Sequence, residues 1–472
     1  MTRSPLSCRR ARRTIGVVLR AGAALALLAT LPAQAVTPTV VARQFGNVEE
    51  DAVWWELEEI GPALADTWLL GRTNWTDGRG SLLWAESGIK LRASDLTVSD
   101  HPLQDQGVAV GVASFARGFS VTADGLVVNG VLRSDEAALA GEEAVGRCVH
   151  DDCTYLFSSF DEMLLGGELV SPSGVADVAA TRSGQVYAAL QLRGGLSPQY
   201  GLVRTTGGPP PGHVEGVLLT GQAIRDSAGA VVGTLDDLIV PDDGRVLAVL
   251  PWSGETLLLA TVDEPGNGRQ RHVLRSGLSV RRPGETVAGL PIERLSGAAL
   301  GEGGELFYAG LLTQGGDVSS DNDAFLAYGD SIVSREGDPC PGLAGATFIG
   351  DTPALAADHW GNAAFIGEAL AADGARLDVL YYNGELLLRS GDLLDANGDG
   401  VIDADDHGAT VVDLLAAGDL VLGRRSAWVL ATAVLPQYGL RTVLLRLGPL
   451  PEIANPWDAR TPCPGDVTGD RL

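Results

Sequence analysis

Hydrophobic positions in this chain come in short runs that alternate with polar ones, and each run is closed by a cluster of Gly, Asp, Asn or Ser. ADGLVVNGVL, RSGQVYAALQL, EGGELFYAGLL and HWGNAAFIGEAL show the pattern, which suits strands with one buried face. Beyond the first 35 residues no stretch keeps long helical periodicity, so the predicted elements are strands joined by turns. The runs also recur. A turn glycine precedes a short apolar strand at Gly125, Gly184, Gly244, Gly304, Gly361 and Gly418, in steps of 59, 60, 60, 57 and 57. One further step of 58 back reaches ADTWLLGRTN, with Thr67 in the glycine's place. A second strand family lies between them: VVARQFG from Val40, KLRASDL from Lys90, MLLGGEL from Met163, VLLTGQAI from Val217, VLRSGLSV from Val273, IVSREGD from Ile332 and LLLRSGD from Leu386.

Seven units of about 59 residues with about four strands each predict an all-β fold, a seven-bladed β-propeller. An elongated array or two packed sheets would use the same strands. The order of the ends favours a ring, because the chain opens on VVARQFG, which belongs late in a unit, and the last copy, LRTVLLRLGPL, runs out without that strand. The N-terminal strand is therefore expected to complete the last blade and remove the open edges of an array.

The copy REGDPCPGLAGATFIGDTPALAADHWGNAAFIGEAL, residues 335–370, resembles the tandem NxxGxxAF repeats of secreted bacterial proteins. Gly361, Ala364 and Phe365 hold the GxxAF positions, and His359 follows Asp358, which stands where the family has Asn. The resemblance spans residues 40–448, with this copy its specific part. It implies a β-propeller and no particular activity, because propellers host binding and catalysis alike.

Composition adds a compartment and a charge. Residues 1–35 combine an Arg-rich start, the apolar run GAALALLATL and Ala33-Gln34-Ala35, which reads as a secretory signal peptide cleaved after Ala35. The pair Arg12-Arg13 also fits a twin-arginine export signal. No second long apolar run follows, so a soluble exported or cell-surface protein without a transmembrane anchor is expected. Loss of the six leader arginines takes the formal charge from −26 to −32, a field that repels nucleic acid and anionic lipid and attracts cations. In an oxidising compartment Cys148 and Cys153 are close enough in sequence to bridge, which would leave Cys340 and Cys463 to each other.

Catalytic signatures are absent from the sequence: there is no HExxH, no GxSxG and no phosphate-binding glycine motif, and the six His lack metal spacing. Acid pairs such as Asp151-Asp152 and Asp242-Asp243 are better explained as turns among 60 acidic residues than as a glycosidase pair. Trp54, Trp55, Trp68, Trp75 and Trp84 cluster near the start, where they could stack on sugar or fill space between sheets.

One stretch carries a specific chemistry. In LLDANGDGVIDADDHGAT, Asp395, Asn397, Asp399, Asp403 and Asp406 fall at positions one, three, five, nine and twelve of a loop, with Gly400 at six and the Val401 carbonyl at seven. Short oxygen side chains at alternating positions and a glycine at the sharp bend form a calcium ladder, similar to that of dockerins. A dockerin needs two loops, each followed by a helix. Here Gly345-Ala346-Thr347 aligns with Gly408-Ala409-Thr410, so the ladder reads as an insertion of eight to ten residues between the sixth and seventh blades. The tail TPCPGDVTGDRL has Asp466, Thr468 and Asp470 at positions one, three and five and then stops, a truncated dockerin-like segment.

The organisation expected is thus a leader (1–35), a propeller (36–450) with a calcium-loop insertion (395–406), and a tail (451–472). The expected function is a calcium-stabilised, non-enzymatic binding or cell-surface module for an extracellular polysaccharide or protein ligand. The competing expectations are a polysaccharide-degrading enzyme with its site at the central channel, and a structural envelope component.

Overall fold

The structure, a computed structural model, describes residues 36–456 except 50–51, 62–67, 76–77, 86, 88–89, 103, 105–107, 124, 135–140, 160, 194–199, 206–213, 239–246, 302–303, 359, 415–419, 424, 452 and 454. The leader 1–35 and the tail ladder with Cys463, Asp466, Thr468 and Asp470 lie outside the described residues, as does Asp242-Asp243.

Strands dominate, as alternation predicts, and among the described residues they form seven sheets that follow one another along the chain. The alternation itself is visible in Glu143–Val149 and Asp152–Ser158, whose inward positions include Cys148, Cys153, Tyr155 and Phe157. Seven apolar layers lie between neighbouring sheets. The first and second sheets enclose Leu70, Leu83, Val112 and Phe119. Successive layers then run around to the sixth and seventh, which enclose Ile366, Leu380, Val429 and Leu445. The seventh layer joins Trp54, Leu57 and Leu69 of the first sheet to Trp428, Leu430 and Leu444 of the last. Each sheet is thus buried on both faces by its neighbours, and the fold is a closed β-propeller. Trp54 belongs to this packing, and half-buried Trp84 lies against it.

The ring closes through the N-terminal strand. Pro38–Arg43 pairs antiparallel with Gly439–Leu447, from Pro38 opposite Leu447 to Arg43 opposite Val443, and is the outer strand of the last sheet. Four regular outer edges elsewhere are made by the strand that ends each unit, such as Glu385–Arg389 in the sixth sheet. The N-terminal segment supplies what the last unit lacks.

The units are less uniform than the sequence spacing suggests. Gly125, Gly184, Gly304 and Gly361 precede the second strand of a sheet, and the last three have φ near +87°, a left-handed conformation that explains why glycine recurs there. Gly244 and Gly418, outside the described residues, instead precede Leu247–Val249 and Leu420–Leu422. These short strands pair with Thr256–Glu264 and Ala427–Leu435, as do Val231–Leu238 and Thr410–Asp413, so each continues an interrupted innermost strand. The matching second strands begin later, at Thr256 and Ala427. Spacing alone cannot separate a turn glycine from a glycine within an insertion.

Two sheets also depart from a plain antiparallel blade. In the second, Thr97–Ser99 pairs parallel with Asp152–Ser158 and antiparallel with Val110–Val121, closing a small barrel. In the fourth, Ala223–Asp226 bridges Leu278–Arg281 and Val231–Leu238 in the same way. Five sheets retain the simpler arrangement. The Cys148–Cys153 bridge joins directly opposed residues of a hairpin in the second sheet. Asp151 and Asp152 occupy that hairpin's exposed end, a turn role.

Candidate functional site

The Asp-rich loop begins where the sixth sheet ends and finishes where the seventh begins. In the preceding linker, Gly337 N donates to Phe348 O, Phe348 N to Asp338 O, and Cys340 N to Ala346 O. The same set recurs as Gly391 N to Val411 O, Val411 N to Asp392 O, and Leu394 N to Ala409 O. One backbone frame therefore carries a short turn in the first case and the Asp-rich loop in the second. Arg335 N to Asp338 Oδ2 and Arg389 N to Asp392 Oδ2, both 2.9 Å, mark the shared entry turn.

Inside the loop the side chains at positions one and twelve organise the backbone. Asp395 Oδ1 accepts from Gly398 N at 2.7 Å, and Asp395 Oδ2 from Gly400 N at 2.8 Å. Asp406 Oδ1 accepts from Ala396 N at 2.7 Å and Asn397 N at 3.2 Å, while its Oδ2 accepts from Asp403 N at 2.9 Å. Gly398 and Gly400 have φ of +84° and +88°, which lets the chain fold over the first carboxylate. Asp403 caps the short turn Ala404–Asp406, accepting from Asp405 N. Asn397 Oδ1 accepts from Asp399 N, and Asp399 Oδ1 from Val401 N, both at 2.8 Å. Asn397, Asp399, Val401 and Asp403 are exposed, whereas Asp395 and Asp406 are 0% and 2% exposed.

Two buried carboxylates in a segment without Lys or Arg are electrostatically expensive unless amides or a cation meet them. Neither is in an ion pair with a described basic residue. The donor set, all hard oxygen, fits a cation such as Ca²⁺. As placed, the carboxylates turn toward loop amides, and among the described residues no three Asp, Glu, His or Cys converge on one point.

The loop's backbone does a second job. Asp395 N donates to Pro38 O at 3.0 Å and Asp395 O accepts from Val40 N at 2.9 Å. Position one of the ladder is thereby joined to the strand that closes the ring.

Two further clusters were not visible in the sequence. In the fourth sheet, His272 Nδ1 lies 2.9 Å from Ser279 Oγ and its Nε2 lies 3.0 Å from Glu264 Oε1; Arg282 is 3.6 Å from the same oxygen. A Ser–His–Glu chain invites comparison with a hydrolase triad, but the three are 3%, 0% and 6% exposed, so no substrate reaches the hydroxyl. Burial lowers the His272 pKa, opposed by the Glu264 charge.

At the junction of the sixth and seventh sheets, Asp378 Oδ2 accepts from Leu414 N at 2.9 Å. Burial, then the negative charge of Asp413, push Asp378 up to about 6 against the effect of the Leu414 amide. Asp378 comes from Arg376–Tyr382 and Leu414 follows Thr410–Asp413, and no local motif announces their contact. Cys340 is buried and its thiol is pushed up to about 11 by burial, which makes it a poor nucleophile.

No helix among the described residues is long and apolar enough to cross a membrane. No protein-family model matches the chain, and no curated protein matches it. Among solved structures it is similar to a gluconolactonase of Xanthomonas campestris at 12% identity and a TM-score of 0.25, over 72% of this chain and 90% of that one. A likeness that distant carries no assignment of activity.

Proposed function

We propose that this protein is an exported, non-enzymatic binding or cell-surface module whose propeller is braced by calcium. The observation that carries the reading is the double role of Asp395, which opens the oxygen ladder with its side chain and holds the ring-closing strand with its backbone. Calcium held by Asp395, Asn397, Asp399, the Val401 carbonyl, Asp403 and Asp406 would neutralise the buried carboxylates and fix the segment to which Pro38–Arg43 is tied. The metal supplies structure in this reading and takes no part in a reaction. The ligand class is an extracellular polysaccharide or protein, and the large negative charge argues against nucleic acid.

A polysaccharide array probed with the intact protein, with and without a chelator, tests both parts. Binding that weakens on chelation is the expected result. Release of hydrolysis products would replace this reading with an enzymatic one.

A further inference from the structure

Past the last strand the chain runs on as GPLPEIANP, residues 448–456, and returns to the sixth sheet. Leu450 N donates to Arg425 O at 2.8 Å in the turn that follows Leu420–Leu422. Gly448 permits that close approach, since a Cβ there would lie 3.1 Å from Arg425 O. The Leu450 side chain is buried in the apolar layer between the sixth and seventh sheets. Ile453 N then donates to Pro451 O at 2.9 Å, a tight turn. Across the junction, Asn383 Nδ2 donates to Ile453 O at 2.9 Å and Asn455 Nδ2 to Gly361 O at 2.7 Å. Gly361 and Arg425 stand in turns after innermost strands, whereas the Asp-rich loop leads into the start of one, so the two crossings lie at opposite ends of the sheets. Leu394 of the loop and Leu450 of this segment enter the same layer from those two ends.

Asn383 does more than its turn requires. Ser276 N to Thr256 O, Gly329 N to Leu306 O and Asn383 N to Ala363 O form the same turn in the fourth, fifth and sixth sheets, and the three residues have φ between +46° and +60°. Glycine or asparagine suits that conformation. Of the three, only Asn383 carries a carboxamide. Its Oδ1 accepts from Ala363 N at 3.0 Å, and its Nδ2 donates to Asn362 Oδ1 at 2.8 Å as well as to Ile453 O, within a buried side chain. Pro449, Pro451 and Pro456 restrict the segment before it docks and so reduce the entropy lost in ordering it. We propose that residues 448–456 are a strap that locks the sixth sheet to the seventh from the end opposite the Asp-rich loop, and that Asn383 is the residue that holds it.

The test is hydrogen exchange in the intact protein at two amides: Leu450 N within the strap, and Leu414 N, which crosses the same junction to Asp378 Oδ2. Asn383→Gly keeps the left-handed turn, as Gly329 does, and removes the carboxamide. Protection at both amides is expected to fall by about tenfold in this variant. Ser276→Gly, the matching change in the fourth sheet, is expected to leave both as they are in the wild type. Unchanged protection at Leu450 N in Asn383→Gly would overturn the role of Asn383, and a loss confined to Leu450 N would show a passive tail instead of a lock. An equal loss in Ser276→Gly would refute the proposal by tracing the effect to general destabilisation. Should Asn383→Gly fail to fold, Asn455→Ala removes the strap's other side-chain contact to the sixth sheet, and the same two amides decide by the same outcomes.

Discussion

At the scale of single residues, the repeat glycines and the buried polar groups respond to different physics. Gly361, at φ +87°, occupies a turn in which Asp358 Oδ1 accepts from Trp360 N and Asn362 N, both at 2.9 Å. Gly361→Ala is expected to cost about 1 kcal/mol by thermal unfolding, because a Cβ disfavours that conformation. The Asp358 carboxylate holds this turn by accepting both amides. His272 is a different case. Its replacement by Leu leaves Glu264 buried without its imidazole partner, and a loss on the order of 2–4 kcal/mol is expected in denaturant unfolding. Its folded pKa lies below 6.5, so its neutral form contributes stability that is present above 6.5 and fades as pH falls below that value. The variant should therefore show a shallower acid-side decline than the wild type. Glycine-led turns were legible in the sequence because their cause is local. The His272 network was not, since Glu264, His272 and Ser279 become neighbours only when three strands align.

Among elements, the Asp-rich loop was the most legible, down to the frame into which it is inserted. Its ladder and the match of Gly345-Ala346-Thr347 to Gly408-Ala409-Thr410 can both be read by eye, and the paired hydrogen bonds of the two linkers reproduce that match. What spacing could not supply was the partner of Asp395. Calcium at about one hundred times its dissociation constant is expected to stabilise the fold by about 2.7 kcal/mol, read as a rise in Tm that a chelator reverses. Asp406→Asn should abolish most of that response, since the carboxylate at position twelve is the charged end of the ladder. Val40→Pro deletes the donor to Asp395 O, and a loss of about 3 kcal/mol is expected without any change in the loop's own ligands. An unchanged calcium response in Asp406→Asn would show that the cation binds elsewhere.

For the whole molecule, alternation and the order of the ends foretold the closed ring, whereas two interrupted inner strands and two sheets with parallel pairings escaped notice. The reason is that insertions leave the strand count intact while shifting the register of the repeat, as the displacement from Gly418 to the strand at Ala427 shows. Closure itself has a consequence for how the chain folds. Pro38 pairs with Leu447, about 400 residues away, so the first strand to be made must wait for almost the last. Each intermediate sheet can form from nearby segments, but the final pairing pays the loop-closure entropy of nearly the whole polypeptide. Until then the edge Gly439–Leu447 lacks its neighbour and the layer between Trp54 and Trp428 is open. An unfinished chain therefore presents both an unpaired strand and an uncovered apolar face, and the slowest stage of assembly is also the one most exposed to association with a second copy.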